Sequence, residues 1–230
     1  MLKEKNLSGI LAALFANIIF GFSFIFSKLA LSAAHPLIIL AVRFTAAFLV
    51  LNLLLLTGKI KINLKGKPKL KLIIMGISQP LLYFVFELYG LSLVSSALSG
   101  VIIALVPVAV MLLAVVFLKE KPTIIQVICT AVSIGGVSAI SILSNDNSKN
   151  YIWGVVLLFL AVICAAVFNV LSRGESARFS PFERTYVMFF LGFIGFNLMA
   201  IFALKGEYVP ELLRAFSSYK FLIAILYLSV

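Results

Sequence analysis

Residues 152–172 read IWGVVLLFLAVICAAVFNVLS, with no charged side chain and no alternation of polar and apolar positions. Coiled as a helix at 1.5 Å per residue, such a run crosses the roughly 30 Å hydrocarbon core of a bilayer. Lipid offers the backbone no hydrogen bonds, so a spanning segment is either a helix or a strand of a closed barrel. A barrel strand alternates over about 10 residues, and this run is continuous, which selects the helix. Comparable runs lie at about 10–31, 36–57, 72–91, 95–118, 123–143, 152–173 and 182–204, and an eighth starts at 219 and stops at 230. Helix-stopping chemistry separates them: SAAHP, KEKP, SNDNSKN and RGESARFSP. Composition agrees, with 63% hydrophobic and only 12% charged residues, where soluble domains carry about 25% charged. The expected fold class is all-α, a polytopic membrane helical bundle.

The net charge of +11 is concentrated rather than spread. Six lysines (Lys59, Lys61, Lys65, Lys67, Lys69 and Lys71) fall in GKIKINLKGKPKLK between two spans, which reads as a topology signal and a lipid-headgroup contact, not as a nucleic-acid surface. With a cytoplasmic N-terminus, the inside segments hold those six plus Lys3, Lys5, Lys119, Lys121, Arg173, Arg178 and Arg184. The outside segments hold Lys149, Lys205, Arg214 and Lys220. The positive-inside rule therefore predicts N-terminus in. The first apolar run is too long for a signal-peptide core, and more spans follow it. The stretch YVPELLRAFSSY (208–219) is amphipathic and is expected along the outer interface. Cys129 and Cys164 sit within apolar runs and His35 is the lone histidine, so neither a disulfide, a metal site nor a cofactor is expected.

Shifting the chain by 145 residues aligns the first two spans with the sixth and seventh. Gly9 meets Gly154, Ser27 meets Ser172, Pro36 meets Pro181, Phe44 and Phe48 meet Phe189 and Phe193, and Asn52 meets Asn197. Lys28 meets Arg173, a like charge at the same helix end. Five spans separate the copies, an odd number, so the second enters from the opposite face. Inverted repeats of this kind are an architecture of secondary transporters. The expected organisation is a first five-helix repeat over 1–145 and a partial second over 146–230, a ten-helix plan cut within its eighth helix.

Polar residues at membrane depth normally face other helices or water. In the third span Gly76, Gln79, Tyr83, Glu87 and Gly90 fall at steps of three and four, hence on one helix face. Asn17, Gly21, Phe24 and Lys28 do the same in the first span, and Ala166, Asn169 and Arg173 in the sixth. The fourth span opens on Ser95, Ser96, Ser99 and Gly100 and carries Pro107 near its middle, where a kink or hinge is expected. Candidate cavity residues are Asn17, Gly21, Lys28, Gln79, Tyr83, Glu87, Ser99 and Asn169. Glu87 admits three roles: reaching the interface, pairing with Lys28 or Arg43, or handling a solute or proton. Lys28 and Arg43 equally suit snorkelling, and Asn17 and Asn169 suit interhelical hydrogen bonding. Ala131, Gly135 and Ala139 form a small-residue stripe on the fifth span, suited to helix packing.

IIFGFSFIFSKLAL followed by HPLIILAVRFTAAFLVL resembles the opening helix pair of EamA-type transporters, of the drug/metabolite transporter (DMT) superfamily. ELYGLSLVSSALSGVIIALVPVAVMLLAVVFLKEKPTIIQVICTAVSIGGV is similar to that family's third-to-fifth helix block. The shared features are a small-residue start to the fourth helix, Pro107, Glu120 and the Gly135–Gly136 pair. The resemblance implies ten helices in two inverted repeats, cytoplasmic termini, a central solute cavity, and export or exchange of amino acids, metabolites or drugs. Phe20 stands where that family frequently carries Trp.

The function expected is secondary transport of a small organic metabolite, amino acid or drug across the plasma membrane by alternating access, with proton coupling left open and Glu87 its candidate group. The alternative is a shortened membrane protein that associates with full-length relatives without transporting. No nucleotide-binding motif and no converging catalytic groups are present in the sequence, which argues against an ATP-driven pump or an intramembrane enzyme. The expected partners are the lipid bilayer and a small-molecule solute, with oligomerisation left open.

Overall fold

The computed structural model describes residues 2–58, 62–64, 67, 69–117, 119, 122–143 and 151–229. Lys59, Lys61, Lys65, Glu120, Lys121 and the SNDNSKN loop with Lys149 lie outside them, as do the side chains of Lys3 and Lys5. The described residues form helices and connections, with no strand among them. The helices are α1 (Leu2–Leu31), α2 (Pro36–Leu56), α3 (Lys69–Gly76), α4 (Tyr83–Leu93), α5 (Ser96–Ile103), α6 (Val106–Phe117), α7 (Ile124–Leu143), α8 (Tyr151–Gly174), α9 (Pro181–Leu204), α10 (Tyr208–Phe216) and α11 (Tyr219–Leu228). Among the described residues, six stretches are long and apolar enough to cross a membrane, and Ile124–Gly136 and Tyr219–Leu228 are shorter apolar helices. The chain is a multi-pass helical bundle.

Local chemistry sets the helix starts. Pro36 and Pro181 both occupy the first turn, where a missing N–H costs nothing. His35 Nδ1 accepts from the Leu37 N–H at 3.3 Å. Ser180 and Glu183 make a reciprocal capping box on α9, and Ser95 caps α5 by accepting from the Leu98 N–H.

Two expected spans are broken. The third is not one continuous helix, because a wide turn over Ile77–Leu82 joins α3 to α4 and Gln79 takes extended dihedrals (φ −144°, ψ 116°). Pro80 lies inside that turn and has no N–H to give the helix ladder. The fourth span turns at Ala104–Leu105, between α5 and α6, just before Pro107, which likewise cannot donate to the preceding turn. α10 is the expected amphipathic helix, with Ala215 buried and an Arg214–Glu211 pair at 2.7 Å.

The core runs between α2, α4, α8 and α9. α4 packs on α8, α2 on α9, and α1 on α11. Ile38, Leu158, Phe196 and Phe221 are fully enclosed. At the crossing of α2 and α9, Phe48 stacks on Phe193 (centroids 5.3 Å, planes 16° apart), Phe44 meets Phe189 edge-on at 6.0 Å, and Asn197 Nδ2 donates to Thr45 Oγ1 at 2.9 Å. Large apolar side chains remain outside, Leu56, Ile124 and Phe202 among them at 75% exposure or more. Such a surface suits acyl chains rather than water.

One end of the bundle is tied by charge. The Glu183 carboxylate, nearly enclosed, accepts from Lys67 Nζ at 2.7 and 2.8 Å, from the Asn63 N–H at 3.1 Å and from the Ser180 N–H at 2.9 Å. Glu175 pairs with Lys71 and, at 3.6 Å, with Arg178. The connection between α2 and α3 is thereby fastened to the α8–α9 turn. The hydrogen bond from Lys71 holds the Glu175 carboxyl below its ordinary range, against a smaller opposing effect of burial. A depressed folded-state value stabilises the fold above the unfolded value of about 4.3 and is lost as pH falls through the folded one. Acidification below about pH 4 is therefore expected to free this connection. Amide exchange over residues 69–75 should accelerate there in the native chain, and Glu175→Gln should exchange fast already at neutral pH. A Glu175→Gln profile matching the native one would contradict this.

Candidate functional site

A cavity of about 810 Å³ lies between α1, the Ile77–Leu82 turn, α4, α5, α6 and α8. That volume is within the range of small-molecule sites. Its wall carries Asn17 and Gly21 from α1, Gln79 from the turn, Tyr83 from the start of α4, Ser96 from α5 and Asn169 from α8. Pro107 lines it at the top of α6, and Phe20 and Phe24, edge to face at 5.5 Å, form an aromatic side. Gly21 presents no side chain, and a Cβ there would meet nothing within 4 Å.

Both helix interruptions border this space. At Gln79 the extended backbone swings the carboxamide out of the helical register. Its side chain makes no hydrogen bond to a described residue. Tyr83 packs its ring edge-on to Phe84 at 4.8 Å and is only 2% exposed, and its hydroxyl likewise has no partner among the described residues. Asn169 Nδ2 donates to Ala165 O at 2.8 Å, which leaves its Oδ1 as an acceptor.

A smaller cavity of about 420 Å³ adjoins the first and shares Val106, Pro107 and Asn169 with it. Its polar side is Gln126, Thr130 and Ser133 of α7, with Arg173 of α8. These α7 residues are absent from the candidates drawn from sequence. Their i, i+4, i+7 spacing is the signal that finds them.

Of the residues singled out in the sequence, Asn17, Gly21, Gln79, Tyr83 and Asn169 share the larger cavity, and Lys28, Glu87 and Ser99 do not line it. The single polar face expected in the third span is split by the turn at Gln79. Gly90 instead packs against Leu158 and Gly154 of α8, and Gly76 against Leu191 of α9. Ser99 is enclosed and donates to Ser95 O at 2.9 Å within its own helix. Lys28 Nζ donates to Leu91 O at 2.7 Å and Val94 O at 2.6 Å. Those carbonyls end α4 and lack intrahelical partners, and a cation there also complements the helix dipole. Glu87 is 2% exposed, and its Oε2 has no hydrogen-bond partner among the described residues. The cation whose field reaches it is Arg43, not Lys28. The guanidinium lies 4.5 Å over the Phe84 ring, a placement that favours Arg over Lys.

Residues 7–142 match the model of the EamA-like transporter family. The protein named "Uncharacterized transporter YcxC" of Bacillus subtilis is 34% identical over 233 residues, covering all of this chain and 74% of the relative. An "Uncharacterized transporter" of Archaeoglobus fulgidus is 27% identical over 76% of this chain and 60% of its own length. YetK of B. subtilis, with the same designation, is 25% identical over 88% of this chain and 62% of its own. Apolar spans broken beside a polar-walled cavity agree with that kinship, and the chain is a member of the EamA-like transporter family, a multi-pass membrane protein of the DMT superfamily.

Proposed function

We propose that the chain carries a small organic solute across the plasma membrane by alternating access between two inverted five-helix repeats, with its N-terminus in the cytoplasm. The observation that carries this reading is the 810 Å³ cavity bordered by two helix interruptions. Irregular backbone at membrane depth is tolerated where it lines a cavity, and discontinuous helices build the binding sites of many transporters.

The first repeat spans residues 1–145, and the second begins at 146. Contacts support the pairing: Phe44 with Phe189 and Phe48 with Phe193 are equivalents in the 145-residue register, and each pair touches. Equivalent residues meet where a two-fold axis passes between their helices. Asn52 and Asn197 each donate to the carbonyl four residues earlier, Phe48 O and Phe193 O, both at 2.7 Å. The ionic end supports two different closures. In the same register, Lys67, Lys71, Glu175 and Glu183 correspond to Leu212, Phe216, Ala30 and Ile38. One end of the pathway would close by charge and the other by apolar packing. The proton-coupled form of the reading rests on Glu87, faced by Arg43 of α2 and by Tyr83 of its own helix.

Solute flux into proteoliposomes tests the proposal, with both this chain and a version extended to the relatives' length. Glu87→Gln should insert normally and flatten the pH dependence of flux. No flux from either version across a broad metabolite panel would end the carrier reading. For orientation, an impermeant maleimide applied to whole cells should label Ser92→Cys and leave Ser176→Cys untouched. The reverse pattern would invert the assignment.

A further inference from the structure

We propose that the solute admitted to the larger cavity carries no net charge, and that it is held by amide and hydroxyl groups through paired donation and acceptance. The inference rests on the carrier reading for its transport consequence, and on the cavity wall for its chemistry. Lys28, Arg43 and Glu87 sit at membrane depth near this space and none lines it, and Arg173 lines only the adjoining smaller cavity. Lys28 is held by Leu91 O and Val94 O, Arg43 lies over Phe84, and Glu87 faces Arg43. Among the described residues the wall is neutral. A lone ion moved there would lose its hydration against no countercharge, a far larger penalty than that of a neutral polar group.

The neutral groups that remain are suited to a neutral partner. Gln79 offers two donors and an acceptor, Tyr83 a hydroxyl, and Asn169 the Oδ1 left over after its bond to Ala165 O. An uncharged group that both donates and accepts, such as a carboxamide, satisfies all three. A carboxylate can only accept and an ammonium can only donate. Phe20 and Phe24 provide a face for an apolar body.

A matched series tests this: phenylacetamide, phenylacetate and phenethylammonium, which place a neutral, an anionic and a cationic group on one phenyl body. Thermal shift of the purified chain should respond to phenylacetamide at a concentration at least about tenfold lower than to either ion, a factor of ten being 1.4 kcal/mol. Uptake into proteoliposomes should follow the same order. Gln79→Leu should lose the phenylacetamide response, and Gln79→Glu should move the preference to phenethylammonium. The wild-type series stands by itself should either variant fail to fold. Equal response to all three probes, response to none, or preference for an ion would overturn the proposal. Binding of phenylacetamide without its uptake would uphold the charge preference, and the carrier reading would then be decided by the flux panel on both chain lengths. Uptake favouring an ion would leave the carrier and remove the charge preference.

Discussion

Gly154→Val should drive α8 away from α4 and cost about 3 kcal/mol, the upper end of what overpacking a well-filled interior does. A Cβ at 154 would lie 2.6 Å from Val94 Cγ1, 2.9 Å from Leu93 Cβ and 3.2 Å from Gly90 O. Only the first of these belongs to the end of a side chain. The other two are fixed by the α4 backbone, so the helices themselves must separate. The approach is reciprocal, since a Cβ on Gly90 would come within 2.8 Å of Leu158 Cγ and 3.1 Å of Gly154 O. Membrane helices gain little from hydrophobic association, because lipid is as apolar as they are, and close backbone contact between small residues takes its place. The control is Gly135→Ala on α7, where a Cβ meets nothing within 4 Å. That change should be neutral or stabilise by about 0.5–1 kcal/mol through helix propensity. Melting midpoints of the two variants in one detergent provide the comparison, and equal midpoints would mean that the α4–α8 contact is loose.

The second large effect is expected at Arg43. Arg43→Met keeps much of the apolar stem but removes the cation that faces Glu87 and the stacking on Phe84. Removing one member of a buried pair typically costs 3–5 kcal/mol, much of it from leaving the other charge uncompensated. Arg43 is partly buried and forms no direct ion pair with Glu87, so a loss at or below the bottom of that range, about 2–3 kcal/mol, is expected. Adding Glu87→Gln to Arg43→Met removes the orphaned charge at nearly constant shape and should restore most of it. Glu87→Gln alone should cost less than Arg43→Met, because Oε2 already lacks a hydrogen-bond partner. A double variant no more stable than Arg43→Met would show that stacking on Phe84, not charge, is what Arg43 contributes. Arg43→Lys separates the two contributions independently, since it retains charge and loses the planar contact.

Much of the bundle was legible because each span signals itself locally. Apolar runs, HP and SP at helix starts and Pro107 within the fourth span all act within a few residues of where they stand. The larger cavity was legible in part, and for the same reason: Asn17, Gly21 and Asn169 lie on unbroken helices, where spacing assigns a face. Gln79 and Tyr83 belong to the cavity although the helix that was to align them with Glu87 and Gly90 is interrupted. In the sequence Lys28 had Glu87 as a candidate partner; the carbonyls that hold it were not legible there, because they lie more than sixty residues along the chain. Thr130 and Ser133 were readable as a polar stripe, but nothing in α7 alone told a lining face from a lipid-facing one.

The sequence by itself determined that the chain is a multi-pass helical bundle, since a backbone without water must coil and apolar runs of spanning length set where. Only the tertiary structure decided which polar group looks into the cavity and which is used up between helices. That choice depends on helix rotation, on the break at Gln79, and on distant backbone acceptors such as Leu91 O and Val94 O. A carboxylate, an ammonium and a carboxamide at the same depth have similar spacing signatures, and only the neighbours that folding brings to them separate a structural charge from a binding group.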